Sequence, residues 1–319
     1  MTKAAELAKM GEVLTNSQIG GRRNIVINGA CQVAQRGTSS TGLGGSAPGY
    51  TTVDRWQMSV GATSAGRFST AQVAVTDLPG FANAFHLDCT TADTSIAAGE
   101  VLKIDYKIEG QDLQRLKKGT SSAEKVTVSF YMKTNKAFTF MCELDDRDNN
   151  RRNGQQFTTT TDWTRHVLTF AGDTTGTLDN DIKITGLQME VGEQATPFEH
   201  RSFAEELALC HRYFHRANTV SVAATLGAGV WYAANQVLGD YRFPRMRSTP
   251  SASVPATNSL KMYKSAAAIQ ANDSTPIDNA SADGFARFNI TPTSNGTAGQ
   301  GTVIQLVATS DYLDMDAEL

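Results

Sequence analysis

Cysteine, proline and charge are all scarce in this chain: its 319 residues include 4 cysteines and 8 prolines, and 19% are charged. Cys31, Cys89, Cys142 and Cys210 lie far apart and make no CxxC pair, which excludes the usual zinc and dithiol motifs and leaves buried free thiols as the expectation. Basic and acidic residues nearly cancel, 29 against 32, for a net charge of −3. With no global positive field to hold a polyphosphate by counterion release, nucleic acid is not an expected partner. No apolar run reaches the roughly 18 residues that a spanning helix needs, and the first residues lack the basic, apolar, small-residue order of a signal peptide. Neither membrane insertion nor general secretory export is therefore expected.

Glycine, by contrast, is abundant at 27 residues, and with serine and threonine it separates short stretches of alternating polarity. That combination marks strands joined by turns. Ile25 and Ile27 alternate with Asn24, Val26 and Asn28, while Leu102, Ile104, Tyr106 and Ile108 alternate with Lys103, Asp105 and Lys107. Each pattern leaves one apolar face. Val126, Val128, Phe130 and Met132 repeat it, as do Phe138, Phe140, Cys142 and Leu144, and these two runs are expected to be neighbouring strands. Ile182 and Ile184 set an even phase that turns odd at Leu187, Met189 and Val191. Gly186 at the change predicts one strand with a β-bulge. Strands without intervening helices need a second layer, so the expected fold class is all-β, with residues 24–200 forming a two-sheet sandwich. Segments 37–50, 145–156 and 171–181 read as polar loops.

A helix is signalled over 203–217. Ser202 and Glu205 form an S-x-x-E capping box, and Phe203, Leu207, Cys210 and Phe214 recur at helical spacing. His211, Arg212, His215 and Arg216 then sit near the negative end of its dipole. This helix forms a collar, 201–218, ahead of a smaller β domain over 219–319, with strands expected at 220–226, 237–243 and 303–308. Before the sandwich, residues 1–23 are rich in Ala, Lys and Glu, and Leu7, Met10 and Leu14 fall at coiled-coil spacing interrupted by Gly11. The segment reads either as a frayed tail or as a short helix that persists only through self-association or a larger assembly.

Few residues carry recognisable chemistry. His211 and His215 are four apart, with Cys210 or His200 as a conceivable third metal ligand, but two ligands from one chain do not make a site. Asp146, Asp148 and Asn150 alternate like a calcium loop, yet Arg151 stands where its glycine belongs and no bidentate Glu follows. No GxSxG elbow or acid–base histidine motif is present, so the chain is not expected to be an enzyme or to need a cofactor. The aromatics able to stack on a sugar are Trp56, Trp163 and Trp231, with Tyr232 and Tyr241; of these Trp56 shares the alternation of Met58 and Val60 and is expected in the core, and Trp163, Trp231 and Tyr232 are the candidate glycan contacts.

Three stretches are familiar. Residues 24–37, from Asn24-Ile25-Val26-Ile27-Asn28-Gly29-Ala30 to Gln35-Arg36-Gly37, together with Tyr50-Thr51-Thr52-Val53-Asp54-Arg55-Trp56, resemble the opening of a family of bacteriophage fibre proteins found in marine phages. Tyr106 through Leu116 resembles the family's middle. Gln188-Met189-Glu190-Val191-Gly192, Ala195-Thr196-Pro197-Phe198-Glu199-His200-Arg201 and Glu205 through Phe214 resemble its collar. The resemblance implies a virion structural protein with a sandwich similar to carbohydrate-binding jelly rolls, assembled as a homotrimer and carrying no catalytic residues.

Its partners would be other phage tail proteins, such as an adaptor or nozzle reached through the N-terminus, and host-surface polysaccharide reached through the C-terminal domain. Leu7, Met10, Leu14, Phe203, Leu207 and Phe214 are the expected oligomerisation and attachment residues. Such a protein would be made in the host cytoplasm and reside in the virion. Two rival readings are a decoration or collar protein that binds nothing on the host, and a polysaccharide depolymerase.

Overall fold

The computed structural model describes residues 24–45, 49–61, 64–116, 125–146, 151–168, 182–191, 195–218, 225–264, 267–272 and 275–318. Leu7, Met10, Leu14 and the segment 171–181 lie outside them. The fold is mostly β, with strands accounting for 52%, and one α-helix occurs among the described residues. The chain divides into two compact units, Met1–Glu206 and Leu207–Leu319.

The first unit contains β1 (Ser39–Leu43), β2 (Gly49–Tyr50), β3 (Trp56–Val60), β4 (Arg67–Ala74), β5 (Asn83–Thr91), β6 (Leu102–Tyr106), β7 (Val126–Thr134), β8 (Thr139–Asp146), β9 (Arg151–Thr158), β10 (Thr164–Leu168) and β11 (Ile182–Val191). A six-stranded sheet runs β1-β4-β5-β11-β7-β10, a three-stranded sheet runs β2-β3-β6, and β8 and β9 form a separate hairpin. Alternation drives the larger sheet: Val128, Phe130 and Met132 of β7 and Phe85 and Leu87 of β5 turn their side chains into one core with Trp56, Met58 and Val60 of β3. Trp56 fills that core as expected, stacked on Phe85 with centroids 5.6 Å apart.

The expected bulge in β11 is present. Thr185 opposes Tyr131 and Gln188 opposes Ser129, so β11 spends one extra residue against β7. Gly186 sits there with φ +65°, and a Cβ would lie 2.8 Å from Cζ of Phe81, so both the backbone angle and the space require glycine.

Four sequence expectations for this unit are corrected. Residues 24–28 form no strand; Val26, Asn24 and Asn28 are buried while Ile25 and Ile27 are half-buried, because the two asparagines find buried hydrogen-bond partners. The β7 and β8 runs are not neighbours, since β7 lies between β11 and β10 while β8 pairs with β9. After Thr134, whose hydroxyl bonds the Thr159 hydroxyl at 2.8 Å, the chain leaves the larger sheet. Segment 145–156 is strand over much of its length, with Phe140 opposite Phe157 and Arg152 between Glu143 and Asp145 at 3.8 and 3.6 Å; such cross-strand pairs support a strand whose outer face is polar. Segment 37–50 likewise contains β1 and β2.

The helix is also shorter than expected. α1 (Phe203–Cys210) starts at the predicted capping box: Ser202 donates through its N–H and hydroxyl to the Glu205 carboxylate at 2.9 and 2.8 Å. It ends where Tyr213 and Arg212 donate to the carbonyls of Cys210 and Leu209 in tight turns. The strands of the second unit are β12 (Phe214–Asn218), β13 (Thr225–Ala233), β14 (Gln236–Arg242), β15 (Ser251–Ser253), β16 (Leu260–Lys264), β17 (Ala267–Gln270), β18 (Ile277–Ser281), β19 (Phe285–Ile290), β20 (Gly301–Leu306) and β21 (Tyr312–Asp316).

The tail of the predicted 203–217 helix is therefore a strand. Phe214 is 1% exposed in β12 while Phe203 is 54% exposed on α1, so Phe203, Leu207 and Phe214 do not share one helical face. The cause is a partner about a hundred residues away. β12 pairs with β21, and the Arg216 guanidinium grips Asp314 with two bonds of 2.7 Å, a tertiary gain that outweighs a local helix preference worth tenths of a kcal/mol per residue.

A three-stranded sheet, β12-β21-β15, and a seven-stranded sheet, β17-β16-β20-β13-β14-β19-β18, share the second core. The strands expected at 237–243 and 303–308 appear as β14 and β20, and most of 220–226 lies outside the described residues.

Candidate functional site

The segments behind the family resemblance meet in one buried knot of hydrogen bonds in the first unit. Asn24 accepts from the N–H groups of Val26 and Met189 at 3.0 and 3.1 Å, and its own N–H donates to Glu199 at 2.8 Å. Asn28 donates through Nδ2 to the carbonyls of Val33 and Asp54, both at 2.9 Å, and its N–H reaches the Glu206 carboxylate at 2.8 Å. The indole of Trp56 donates to the Asn28 carbonyl at 3.1 Å, and Asp54 accepts the Gln35 N–H at 2.9 Å. Arg201 donates to the carbonyls of Asn24 and Val26 and pairs with Glu206 at 3.3 Å. Further along, Glu190 accepts the Thr196 N–H at 2.9 Å and Gln188 accepts the Glu199 N–H at 2.7 Å.

Both members of the Arg201–Glu206 pair are at most 6% exposed, so each charge depends on the other and on the backbone groups that it binds. Asn28, Cys31 and Arg55 hold φ of 56°, 55° and 75°, left-handed values that an L side chain adopts only when its surroundings compel it. The knot is a clasp that locks residues 24–28 to β11 and to the segment leading into α1.

The aromatic candidates separate cleanly. Trp231 is 0% exposed and its indole N–H donates to the Tyr263 carbonyl at 3.0 Å, so it is corrected from a glycan contact to a core residue. Its ring leaves no space for a Cβ on Gly296. Trp163, just before β10, is half-buried and its indole donates to Asp77 at 2.9 Å; hydrogen bonds from Lys133 and then Trp163 hold the Asp77 carboxyl below its usual range. Tyr232 is 67% exposed, on the opposite side of β13 from Trp231.

Register identifies the rest of that outer face. Val230 opposes Leu238 of β14, Ala228 opposes Val303 of β20, and Arg242 opposes Phe285 of β19. Val230 is exposed on the same face as Tyr232, while Val303 and Phe285 are exposed farther along that face, toward its other end, and the Arg242 guanidinium lies over the Phe285 ring at 5.0 Å. A fixed polar row follows: Gln236 donates to Asn289 at 2.9 Å, Asn289 donates to Asp278 at 2.9 Å, and Arg287 grips Asp278 at 2.8 and 2.6 Å. The Arg287 bond holds the Asp278 carboxyl below its ordinary value. Tyr232 lies at the Gln236 end of this row, where an exposed phenol ring and an amide can stack on a sugar face and hydrogen-bond its hydroxyls, and the Arg287–Asp278 pair lies farther along the same face. Val230, Val303 and Phe285 escaped the sequence reading, although alternation on either side of a buried Trp231 would have exposed Val230.

No protein-family model matches the chain, and no curated protein matches it.

Among the described residues, no group of three or more His, Cys, Asp and Glu is placed to hold a metal ion. His211 and His215 do meet, with ring centroids 5.1 Å apart. Burial, followed by repulsion from His211, pushes the His215 pKa down to about 4. Unfolded histidine titrates near 6.5, so the unfolded chain binds the extra proton between these values. Stability is therefore full above pH 6.5 and falls as pH drops toward about 4, by about 2 kcal/mol after discounting for solvent access. His215→Phe should flatten this part of the profile, which urea midpoints measured at pH 7.5 and 4.5 would show. An unchanged wild-type minus variant difference between the two pH values would refute it. Of the four free cysteines, Cys31 and Cys210 are buried and Cys89 and Cys142 are half-buried.

Proposed function

We propose that this chain is a structural protein of a bacteriophage particle, an attachment fibre that works as a homotrimer. In this reading the first unit is a jelly-roll sandwich forming the fibre body, and residues 1–23 join it to other tail proteins such as an adaptor or nozzle. The second unit presents the outer face of its seven-stranded sheet to host-surface glycans.

The observation that carries the reading is the clasp. Segments separated by more than 160 residues in sequence, and together resembling one fibre family, are joined by hydrogen bonds in a single network. Buried polar networks of this kind favour one rigid arrangement over alternatives, which suits a mechanical component. The exposed Tyr232 face supports the attachment role. A single exposed tyrosine binds sugar weakly, and three copies on one object raise the effective concentration enough to hold a particle on a cell.

Light scattering of the purified chain at micromolar concentration should give the mass of three subunits, and the protein should compete with phage for adsorption to host cells. A monodisperse monomer that leaves adsorption unchanged would overturn the proposal.

A further inference from the structure

The first unit contains a cleft of about 300 Å³ that opens between β6 and β8. Its floor is the apolar face of the larger sheet, including Phe130, Met132, Ile182 and Ile184. The walls are unusual, because consecutive residues line them: Leu102 through Tyr106 on one side and Met141 through Asp145 on the other. Successive side chains of a strand point to opposite faces, so a cavity lying over one face touches every second residue. One that touches every residue reaches the edge.

The pairing agrees with this. Among the described residues β6 pairs with β3 alone and β8 pairs with β9 alone, so each strand turns an open edge of N–H and C=O groups toward the cleft. Such edges act as templates for another strand. A hydrocarbon ligand would cover the apolar floor and leave those backbone groups without partners, whereas an extended peptide satisfies both the floor and the edges.

We propose that this cleft is a strand-acceptor slot, which takes a short extended segment of another polypeptide between β6 and β8. Alternate side chains of that segment are apolar and face the floor. The intervening ones point outward between Lys103 and Asp105 on one wall and Glu143 and Asp145 on the other. Arg152 already neighbours both Glu143 and Asp145, and the Ser59 hydroxyl holds Asp105 at 2.8 Å. Among the described residues of this rim, Lys103 and Arg152 stand against Asp105, Glu143 and Asp145, a net charge of −1, so lysine or arginine is favoured at the outward positions. Leu102–Asp105 faces a stretch of about 13 Å, at ~3.3 Å per residue, enough for two apolar anchors.

The test uses the full chain and four probes: acetyl-Lys-Val-Lys-Val-Lys-amide, the same peptide N-methylated at both valines, a run-ordered peptide of identical composition, and decanoate. Binding is read by calorimetry and by amide hydrogen exchange. The alternating peptide should bind and slow exchange at residues 102–105 and 141–144. N-methylation should weaken binding by at least about tenfold, since it removes two edge hydrogen bonds. Equal affinity for the N-methylated or run-ordered peptide would overturn the slot. So would decanoate binding without peptide binding, or no binding of the alternating peptide at about millimolar concentration.

Discussion

Replacing Arg201 with methionine is expected to lower the stability of the first unit by about 3–5 kcal/mol, the usual cost of stripping one partner from a buried ion pair. Arg201 holds the carbonyls of Asn24 and Val26 together with the carboxylate of Glu206, so its loss leaves that carboxylate buried and unpaired while two carbonyls lose their donor. For a unit of this size the change corresponds to a fall of about 6–20 °C in its calorimetric transition. Pairing Arg201→Met with Glu206→Gln removes the orphaned charge, so the double variant should lose less than the sum of the single effects. A transition shifted by less than about 2 °C, or strictly additive losses, would mean that the clasp does not hold the unit together.

Adjacent substitutions on β13 should have opposite consequences. Trp231→Ala empties the centre of the second core and removes the indole bond to Tyr263, costing about 3–5 kcal/mol. Tyr232→Ala removes an exposed ring and should change stability by no more than about 0.5 kcal/mol, while reducing competition for adsorption by about tenfold if the ring stacks on glycan in each of three subunits. The measurements are calorimetry and adsorption competition on both variants. Wild-type competition by Tyr232→Ala would remove the outer face from the attachment reading, whatever Trp231→Ala does.

Some of this was readable from local pattern. Alternation predicted β structure, the phase change around Gly186 predicted the bulge, and Ser202 with Glu205 predicted where the helix begins. In each case the deciding interactions lie within a few residues, so composition and spacing carry them. Where the helix ends was not readable in the same way: Phe214, His215 and Arg216 have helical spacing, but Asp314 draws them into a sheet. Of the aromatic candidates, Trp231 and Tyr232 are adjacent and chemically alike. Which of them faces outward depends on strand phase relative to a core that the sequence does not display.

The clasp illustrates the same division. Asn24, Asn28, Asp54, Arg201 and Glu206 are individually ordinary polar residues, and composition assigns them to surface. Folding buries them together, because each side chain completes a hydrogen bond that another segment leaves open. What the amino-acid order determined alone was the class of structure, since side-chain periodicity is a local property of the backbone. What only the tertiary structure decided was which strands pair, which edges stay open and which aromatic meets solvent, because those outcomes depend on partners many tens of residues away.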